Sequence, residues 1–421
     1  MRKPHYLASL TTLACVLVGT CLPVHAQDEA LDLESAPVEK IEKPANTKLF
    51  FEAAIGSASQ RYQPGSVDTQ RGSLDWVYSG RVSPSLRAVF SNRTDIINPA
   101  MPGSDSTVNS LREAYISWQP DGGDTVVDLG RINLRNGPSY GYNPTDFFRD
   151  GSLRLVTSAD PFALRQNRLG SVMLRAQRLW NGGSVSAALS PKLADAPSND
   201  GWNADLGSTN NRDRALLTLG TQFSQTLNTQ VMLYQESGLN PTVGFNMTAL
   251  LSDAAVAHME WTYGNEPDLL NRTLSRTNTT SNQSRFAGGL TYTTLGKTSI
   301  TAEYQYNGFA LDAAGWSALG PAPTQRLAYL QQSLRLQELA PRQAYLIYVS
   351  QKGLGLKDLD LTAYLRVNGQ DDSKLAWLEL RHHWPSFDMT FQLQHNIGNS
   401  NTEFGVLPES RNMQILGTYY F

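Results

Sequence analysis

Cysteine is nearly absent from this 421-residue sequence, which contains only Cys15 and Cys21. Both lie within the first 26 residues, a segment with the features of a cleaved secretory signal peptide. Removal of that segment after Ala26 would leave no cysteine in the mature chain. We therefore exclude disulfide bonds and cysteine-ligated metals from the mature protein.

Three features in the right order indicate the signal peptide. Basic residues at Arg2 and Lys3 precede an apolar stretch over 7–17, and residues 24–26 (Val-His-Ala) follow as a cleavage site. A lipoprotein cut at Cys21 is the alternative, although the threonine before it is larger than the residue preferred there. The main prediction is therefore an exported protein whose mature chain begins after residue 26.

Long apolar runs and an excess of positive charge are also lacking. After residue 26 no stretch offers the roughly 20 consecutive apolar residues of a transmembrane helix, and the mean hydropathy is −0.34. Without Arg2 and Lys3, 33 of the 35 basic residues remain against 38 acidic ones, a net charge of −5. A nucleic-acid partner is excluded on that balance. A β-barrel is compatible with such a composition because only alternate strand residues face lipid.

Signatures of catalysis are missing as well. The mature chain keeps only four histidines, His258, His382, His383 and His395. It has no nucleophile motif of the Gly-x-Ser-x-Gly type, no cluster spaced for the three or four ligands of a zinc site, and no phosphate loop. We expect no enzyme activity, no metal site and no cofactor.

The sequence does contain regular alternation of apolar and polar residues. From residue 47 onward, short alternating segments are separated by Gly, Asn, Asp, Ser and Pro. Eighteen segments can be marked, for example one with Met389 and Phe391 on its apolar face. The prediction is an all-β fold, a transmembrane antiparallel β-barrel of eighteen strands over 47–421. Sixteen strands is the alternative if two weak segments are loops, and an acidic periplasmic leader over 27–46 precedes the barrel.

The connections between these segments alternate in length. The longer ones lie at 60–72, 95–107, 136–166, 191–211, 264–283 and 308–341. Transmembrane barrels have short periplasmic turns and long extracellular loops, whereas the two ends of a soluble sandwich are equivalent. The alternation therefore favours a barrel in the outer membrane of a Gram-negative cell.

The final segment predicts how the barrel closes. Met413, Ile415, Tyr419 and Phe421 share one face of a strand, as expected where the strand contacts membrane lipid and lipopolysaccharide. We expect the barrel-assembly machinery to recognise this strand through Phe421. The sequence leaves open whether the barrel is a monomer or a homotrimer.

The segment between predicted strands five (125–135) and six (168–180) combines aromatic residues, prolines, glycines and arginines. Such a loop could lie in the lumen, where ionisable groups remain hydrated, and its charges would set ion preference. The candidate residues of a pore constriction are Arg131, Arg135, Tyr140, Tyr142, Asp146, Phe147, Arg149, Asp150, Arg154, Arg165 and Arg168. Their arginines outnumber their aspartates, which predicts a preference for anions. The alternative is that the arginines pair with carboxylates as a scaffold.

Gly130-Arg131, the element Asn143-Pro144-Thr145-Asp146 and the aromatic C-terminal strand together resemble Gram-negative outer-membrane porins. The resemblance extends to porin-like barrels, including alginate-export-type barrels. In architecture it covers 47–421, and in motif about 130–170. It implies that the loop at 136–166 folds into the lumen and narrows the pore, as in general porins.

Residues opposite the apolar faces should line a water-filled lumen. The lumen-wall candidates are Arg87, Glu113, Glu236, His258, Glu260, Glu303, Asp358, Asp360, Arg366, Glu379 and Arg381. This mixture of signs is typical of a wet pore wall rather than a filter of one charge. The orientation of strands five, six and fourteen is ambiguous, and Asp128 falls on either face depending on a β-bulge.

A second unusual loop contains residues 322–340. Leu327, Leu330 and Leu334 lie at helical spacing there, after a proline that suits a helix start. The helix is either a surface helix on an extracellular loop or a lid over the pore.

These observations predict an outer-membrane channel for the passive diffusion of small hydrophilic, anionic solutes. A barrel of this strand number is wide enough to enclose water. Two alternatives remain: an export porin for an anionic exopolysaccharide, and a plugged barrel that acts in cell-surface binding or assembly.

Overall fold

A computed structural model describes residues 46–99, 105–120, 123–276, 278–320 and 323–421. The predicted signal peptide with its cut after Ala26, and the predicted leader up to residue 45, lie outside these residues. No helix among the described residues is long and apolar enough to cross a membrane.

Eighteen strands make up most of the described chain. They are β1 Thr47–Gln60, β2 Ser66–Ser83, β3 Leu86–Asn98, β4 Thr107–Trp118, β5 Thr125–Ile132, β6 Ser171–Trp180, β7 Gly183–Ser190, β8 Arg214–Ser224, β9 Leu227–Glu236, β10 Thr242–Ser252, β11 Ala255–Glu266, β12 Ser281–Thr293, β13 Thr298–Asn307, β14 Gln343–Gln351, β15 Leu359–Asn368, β16 Lys374–Trp384, β17 Phe387–Ile397 and β18 Glu409–Tyr420. Five short helices lie in the connections: α1 Pro161–Gln166, α2 Leu206–Thr209, α3 Leu269–Thr273, α4 Ala313–Ala318 and α5 Pro323–Leu336.

The sheet closes on itself. Each strand pairs antiparallel with its neighbours in sequence, and β1 pairs with β18 in a register that sets Ile55 opposite Ile415. Closure gives every described strand two partners, as a span through lipid requires of its backbone groups. The prediction of a closed eighteen-stranded antiparallel barrel is confirmed, and the fallback of sixteen strands is not needed.

The outer surface of the barrel is apolar. Ile55, Ile116 and Leu129 are exposed by 62%, 55% and 62%, although each lies within a paired strand. Their sequence neighbours point inward, so the alternation seen in the sequence maps onto the two faces of the sheet. The pairing of Asp128 with Ser117 places Asp128 on the inner face, which resolves the ambiguity in β5.

The two ends of the barrel differ. The turn end carries the short connections 84–85, 119–124, 181–182, 225–226, 253–254, 294–297, 352–358 and 385–386. The loop end carries L1 (61–65), L2 (99–106), L3 (133–170), L4 (191–213), L5 (237–241), L6 (267–280), L7 (308–342), L8 (369–373) and L9 (398–408).

Several predicted loop boundaries are wrong. The segment predicted as a loop at 60–72 is mostly strand, because β1 and β2 stay paired up to Ser59 and Ser66. These strands continue into polar sequence at the loop end, so composition marked them as loop. Conversely, β5 ends at Ile132 and β6 begins at Ser171, which makes L3 longer than the predicted loop at 136–166.

Candidate functional site

L3 lies inside the barrel, against the inner face of β11 and β13. The carboxylate of Glu260 accepts hydrogen bonds from Ser139 N at 2.8 Å, Asn143 Nδ2 at 2.9 Å and Thr145 Oγ1 at 2.8 Å. Glu260 is fully buried beneath the loop. Because a buried carboxylate requires hydrogen-bond donors, these contacts fix the path of L3 around Glu260.

A second carboxylate holds the neighbouring residues of L3. Glu303 accepts from Tyr140 N at 2.5 Å and Gly141 N at 2.9 Å, and it contacts His258 Nε2 at 2.8 Å. All these groups lie on the inner face, as the parity of β11 and β13 predicts. The two glutamates together form what we call the L3 clamp, Glu260 and Glu303.

Two glycines let L3 approach the clamp so closely. Gly137 has a φ of 92°, which L-residues with side chains rarely adopt, and a Cβ there would collide with the carboxylate of Glu260. A Cβ on Gly141 would collide with Gln305 and contact Leu346 at 2.7 Å. Alanine at either position would force the loop or the facing side chains to shift.

Aromatic residues anchor the middle of L3 to a different part of the wall. Phe147 stacks on Tyr234 of β9 with ring centroids 4.6 Å apart. Phe148 is buried in an apolar cluster on the inner wall that includes Met173, Leu216 and Met232. Burial of these rings in the lumen fixes the loop without using its charged groups.

The start and end of L3 meet at a second aromatic cluster. Tyr140 and Phe162 pack edge to face at 5.0 Å, and both lie within 5.5 Å of the Tyr348 ring on β14. Beyond this cluster the Tyr364 hydroxyl donates to the Ala159 carbonyl at 2.8 Å. L3 therefore follows the inner wall from β9 to β15.

The segment of L3 around residues 154–157 crosses to the remaining wall. Gln414 Nε2 on β18 donates to the Thr157 carbonyl at 3.2 Å. Arg154 then donates to the carbonyls of Asn109, at the loop end of β4, and of Asn203 in L4, the latter at 2.6 Å. The loop thus contacts the barrel wall on opposite sides and spans the lumen.

Helix α5 of L7 lies over L3. Arg149 Nη2 contacts Glu338 Oε1 at 2.6 Å, and the Tyr142 hydroxyl donates to Glu338 Oε2 at 2.6 Å. Gly151 N donates to the Arg335 carbonyl at 3.0 Å. Burial alone would raise the pKa of Glu338, but Arg149 and Arg285 outweigh it and hold that pKa below its ordinary value. The carboxylate is charged and ties the two loops together.

The predicted helix in 322–340 is present, and of the leucines at helical spacing Leu330 packs against the apolar cluster of Leu269 and Tyr329. Arg326, Tyr329, Ser333 and Leu336 are buried, whereas Leu334 is 50% exposed. The buried face is selected by L3 and by the helix α3 of L6, which the spacing of leucines could not reveal. Of the two positions predicted for this helix, the one over the lumen is found.

Solved structures similar to this chain are outer-membrane porins. OccAB1 of Acinetobacter baumannii aligns with a TM-score of 0.57 and 11% identity, over 89% of this chain and 96% of that chain. OpdQ of Pseudomonas aeruginosa aligns with a TM-score of 0.55 and 10% identity, over 89% and 97%. Neither a protein-family model nor a curated protein sequence matches. The chain has the fold of the outer-membrane porins.

Within this porin fold, the arginines predicted for the constriction fall into two groups. Arg149 pairs with Glu338, and Arg165 and Arg168 lie 3.7 and 2.8 Å from Asp146 Oδ2. These three are buried and act as scaffold, as the alternative interpretation of the loop expected.

The other constriction candidates have different surroundings. Arg131 donates to the carbonyls of Gly170, at 2.8 Å, and Ala204, and so joins L3 to L4. Arg135 is exposed. Asp150 pairs with Arg212 of L4, so it too acts within the loop structure.

The other lumen-wall candidates of the porin fold have partners on the wall or on the loops that contact it. Glu113 accepts from Asn133 N at 3.3 Å, Glu236 contacts Arg212 at 3.0 Å, and Glu379 contacts Arg381 at 2.9 Å. The remaining pairs are Arg87 with Ser79 at 2.9 Å, Asp360 with His383 at 3.3 Å, and Arg366 with Glu403 at 3.7 Å. Asp358 is exposed in the turn before β15, outside the strand wall.

A group of paired charges on β1–β4 was missed. We call it the ion ladder: Glu52, Arg71, Asp75, Arg93, Asp95 and Arg112. Arg93 lies 2.8 Å from Glu52 and 3.0 Å from Asp95. The alternation along β2 places Asp75 on the inner face, so this residue could have been predicted from the sequence. Arg112 could not be found that way, because the register between β3 and β4 shifts at this residue and turns it inward.

Proposed function

We propose that the mature chain is a Gram-negative outer-membrane channel that conducts small hydrophilic solutes by passive diffusion. The observation that carries the proposal is that the L3 clamp holds a loop inside a closed barrel. The outer surface of that barrel is apolar, as contact with lipid requires. L3 narrows the lumen and so limits the size of the solute. On this proposal the turn end faces the periplasm, and residues 1–26 are removed as a signal peptide.

We further infer a preference for anions. Arg131, Arg135, Arg154 and Arg214 lie on L3 or beside it, and none has a carboxylate within 4.0 Å among the described residues. Three of them donate to carbonyl or hydroxyl oxygens, which leave the positive charge without a carboxylate in direct contact. Uncompensated arginines at a constriction attract anions electrostatically.

Planar-bilayer recording tests both statements. The purified protein should give steady conductance steps, and a salt gradient across the bilayer should give a reversal potential of the sign expected for anions. A clear cation preference would contradict the anion assignment and leave the channel assignment standing. Absence of any conductance would contradict the channel assignment itself.

A plugged barrel is the second candidate, because one observation favours it. L3 contacts the wall on β9, β11, β13, β15 and β18, and α5 covers it at the loop end. Such a barrel would act at the cell surface through its loops. It predicts no conductance for the natural protein and a gain of conductance when the L3 clamp is weakened. Export of an anionic polysaccharide, the other predicted alternative, would require displacement of this clamped loop.

The predicted partners remain predictions. Outer-membrane lipid and lipopolysaccharide would surround the apolar belt, and the assembly machinery would bind the strand that ends at Phe421. Deletion of Phe421 should lower the amount of folded barrel in the membrane, and chemical crosslinking of intact cells would separate a monomer from a trimer.

A further inference from the structure

A cavity lies at the loop end, between L7, L8 and L9. It measures about 150 Å³. Engineered protein cavities of this size take up a ligand as large as benzene. The wall from L7 is apolar and includes Leu311, Trp316 and Pro341, whereas the wall from L8 and L9 is polar and includes Asp371 and Glu403. This division suits a small molecule with one apolar and one polar end.

The polar wall is acidic. No lysine or arginine is among the described residues that line it. Glu403 is only 6% exposed, and its Oε1 has Arg366 as the nearest cation at 3.7 Å, beyond hydrogen-bond distance. Asp371 Oδ2 accepts from Glu403 N at 2.7 Å. Asp371 Oδ1 accepts from Ser373 N at 2.9 Å and Ser373 Oγ at 2.6 Å. Two carboxylates therefore share one small wall, and Glu403 Oε1 is the oxygen whose charge is least compensated.

Two donors in the lining are already used by the protein. Trp316 Nε1 donates to the Asn401 carbonyl at 2.6 Å, and Asn368 Nδ2 donates to Glu403 Oε2 at 3.0 Å. The acidic wall thus offers mainly oxygen acceptors. A ligand that brings its own N–H donors and a positive charge would complement them.

We propose that this cavity binds a small organic ammonium compound. Its apolar body lies against the L7 wall with Trp316, and its ammonium group lies at the wall with Glu403 and Asp371. The cation compensates the buried carboxylate of Glu403 and the half-buried carboxylate of Asp371 beside it. None of the described residues that line the site belongs to L3, so the proposal does not depend on the channel function.

Titration calorimetry on the whole protein in detergent tests the charge requirement. Cyclohexylammonium is the probe, and cyclohexanol and cyclohexanecarboxylate are neutral and anionic compounds of matched size. We expect cyclohexylammonium to bind at least tenfold more tightly than the other two. Equal binding of cyclohexanol, tighter binding of the carboxylate, or no saturable binding of cyclohexylammonium would each overturn the proposal.

Substitutions test the location. Glu403→Gln keeps the shape of the side chain and should weaken cyclohexylammonium binding at least tenfold. Asp195→Asn removes a carboxylate that is 90% exposed on L4, and should leave binding unchanged. Ala313→Leu, which fills the cavity from its L7 wall without touching a carboxylate, should also weaken binding. Unchanged binding in both Glu403→Gln and Ala313→Leu would place the ligand elsewhere.

The pH dependence adds an independent readout. Burial raises the pKa of Glu403 to about 7, and Asp371 adds to the rise while Arg366 opposes it. Asp312, Arg326 and Arg342 are the charged groups of L7 near this cavity. Because the ionised carboxylate binds the cation, affinity should rise roughly tenfold between pH 6 and pH 8. This rise should disappear in Glu403→Gln, and its persistence there would contradict the assignment.

Discussion

The inner wall at β11–β13 and the inner wall at β1–β4 both carry buried carboxylates, but with different partners. Glu260 and Glu303 accept from the backbone of L3, so that wall positions a loop. Glu52, Asp75 and Asp95 pair with arginines of the same wall, so the ion ladder stabilises the barrel itself. Buried charge needs a partner in either case. Where the partner is a loop, the wall sets the position of that loop and so the width of the lumen. Where the partner is another strand, the wall only stabilises the barrel.

The largest effect is expected at the L3 clamp. Glu260→Ala leaves Ser139 N, Asn143 Nδ2 and the Thr145 hydroxyl without their acceptor, which should destabilise the L3 attachment by about 3 kcal/mol. We expect single-channel conductance to rise severalfold as L3 leaves the wall. Planar-bilayer recording measures it, with Asp195→Asn as the control. Conductance and gel-measured thermal unfolding identical to those of the natural protein would show that the clamp does not hold L3.

A smaller and different effect is expected at the ion ladder. Asp75→Asn removes the charge that compensates Arg112 and lies 3.6 Å from Arg93. The barrel should lose about 2 kcal/mol of stability because charged hydrogen bonds become neutral ones. The conductance should stay the same while the anion preference increases. A conductance change as large as that of Glu260→Ala would remove the distinction between the two walls.

Arg135→Gln should change the ion selectivity of the channel without changing the stability of the barrel. The side chain is exposed and has no carboxylate partner, so we expect a stability change within about 0.5 kcal/mol. The reversal potential in a salt gradient should move toward cations. Arg178→Gln, at the turn end of β6 with 62% side-chain exposure, is the matched control. An equal shift in both variants would mean that the effect is one of total charge.

The smallest effect is expected from pH at Asp160 of L3. Burial raises its pKa to about 6, above the ordinary 3.8, although the Ala163 amide opposes the rise. The folded state therefore holds this proton more tightly, and the L3 attachment is more stable below pH 4 and loses that stability as pH rises through 6. Conductance should increase slightly between pH 5 and pH 7. Asp160→Asn should abolish that part of the change, and a persistent step near pH 6 would assign it to another group.

Strand number and the outer faces could be predicted from residues close together in the chain, whereas the insertion of the loop into the lumen was implied by the resemblance to porins. Period-two alternation around Met389 or Ile415 depends only on neighbours, and the aromatic and proline content of 136–166 is a local property. The positions of Glu260 and Glu303 on the inner wall followed from the same parity. The role of these two glutamates in holding L3 could not be predicted from parity.

Contacts between distant residues account for what could not be predicted. Arg149 meets Glu338 across 189 positions, and Glu260 meets Thr145 across 115. Composition counted Arg149 as a free cation at a constriction, whereas the fold neutralises it. The bulge that turns Arg112 inward is likewise a property of the pairing between β3 and β4, with no mark in the local sequence.

Alternation along the chain thus suffices for the membrane-facing barrel, because each strand residue has only two faces to choose between. Roles inside the lumen depend on which loop folds against which wall. That choice follows from the requirement that buried carboxylates and arginines find partners, which only the closed barrel brings within reach.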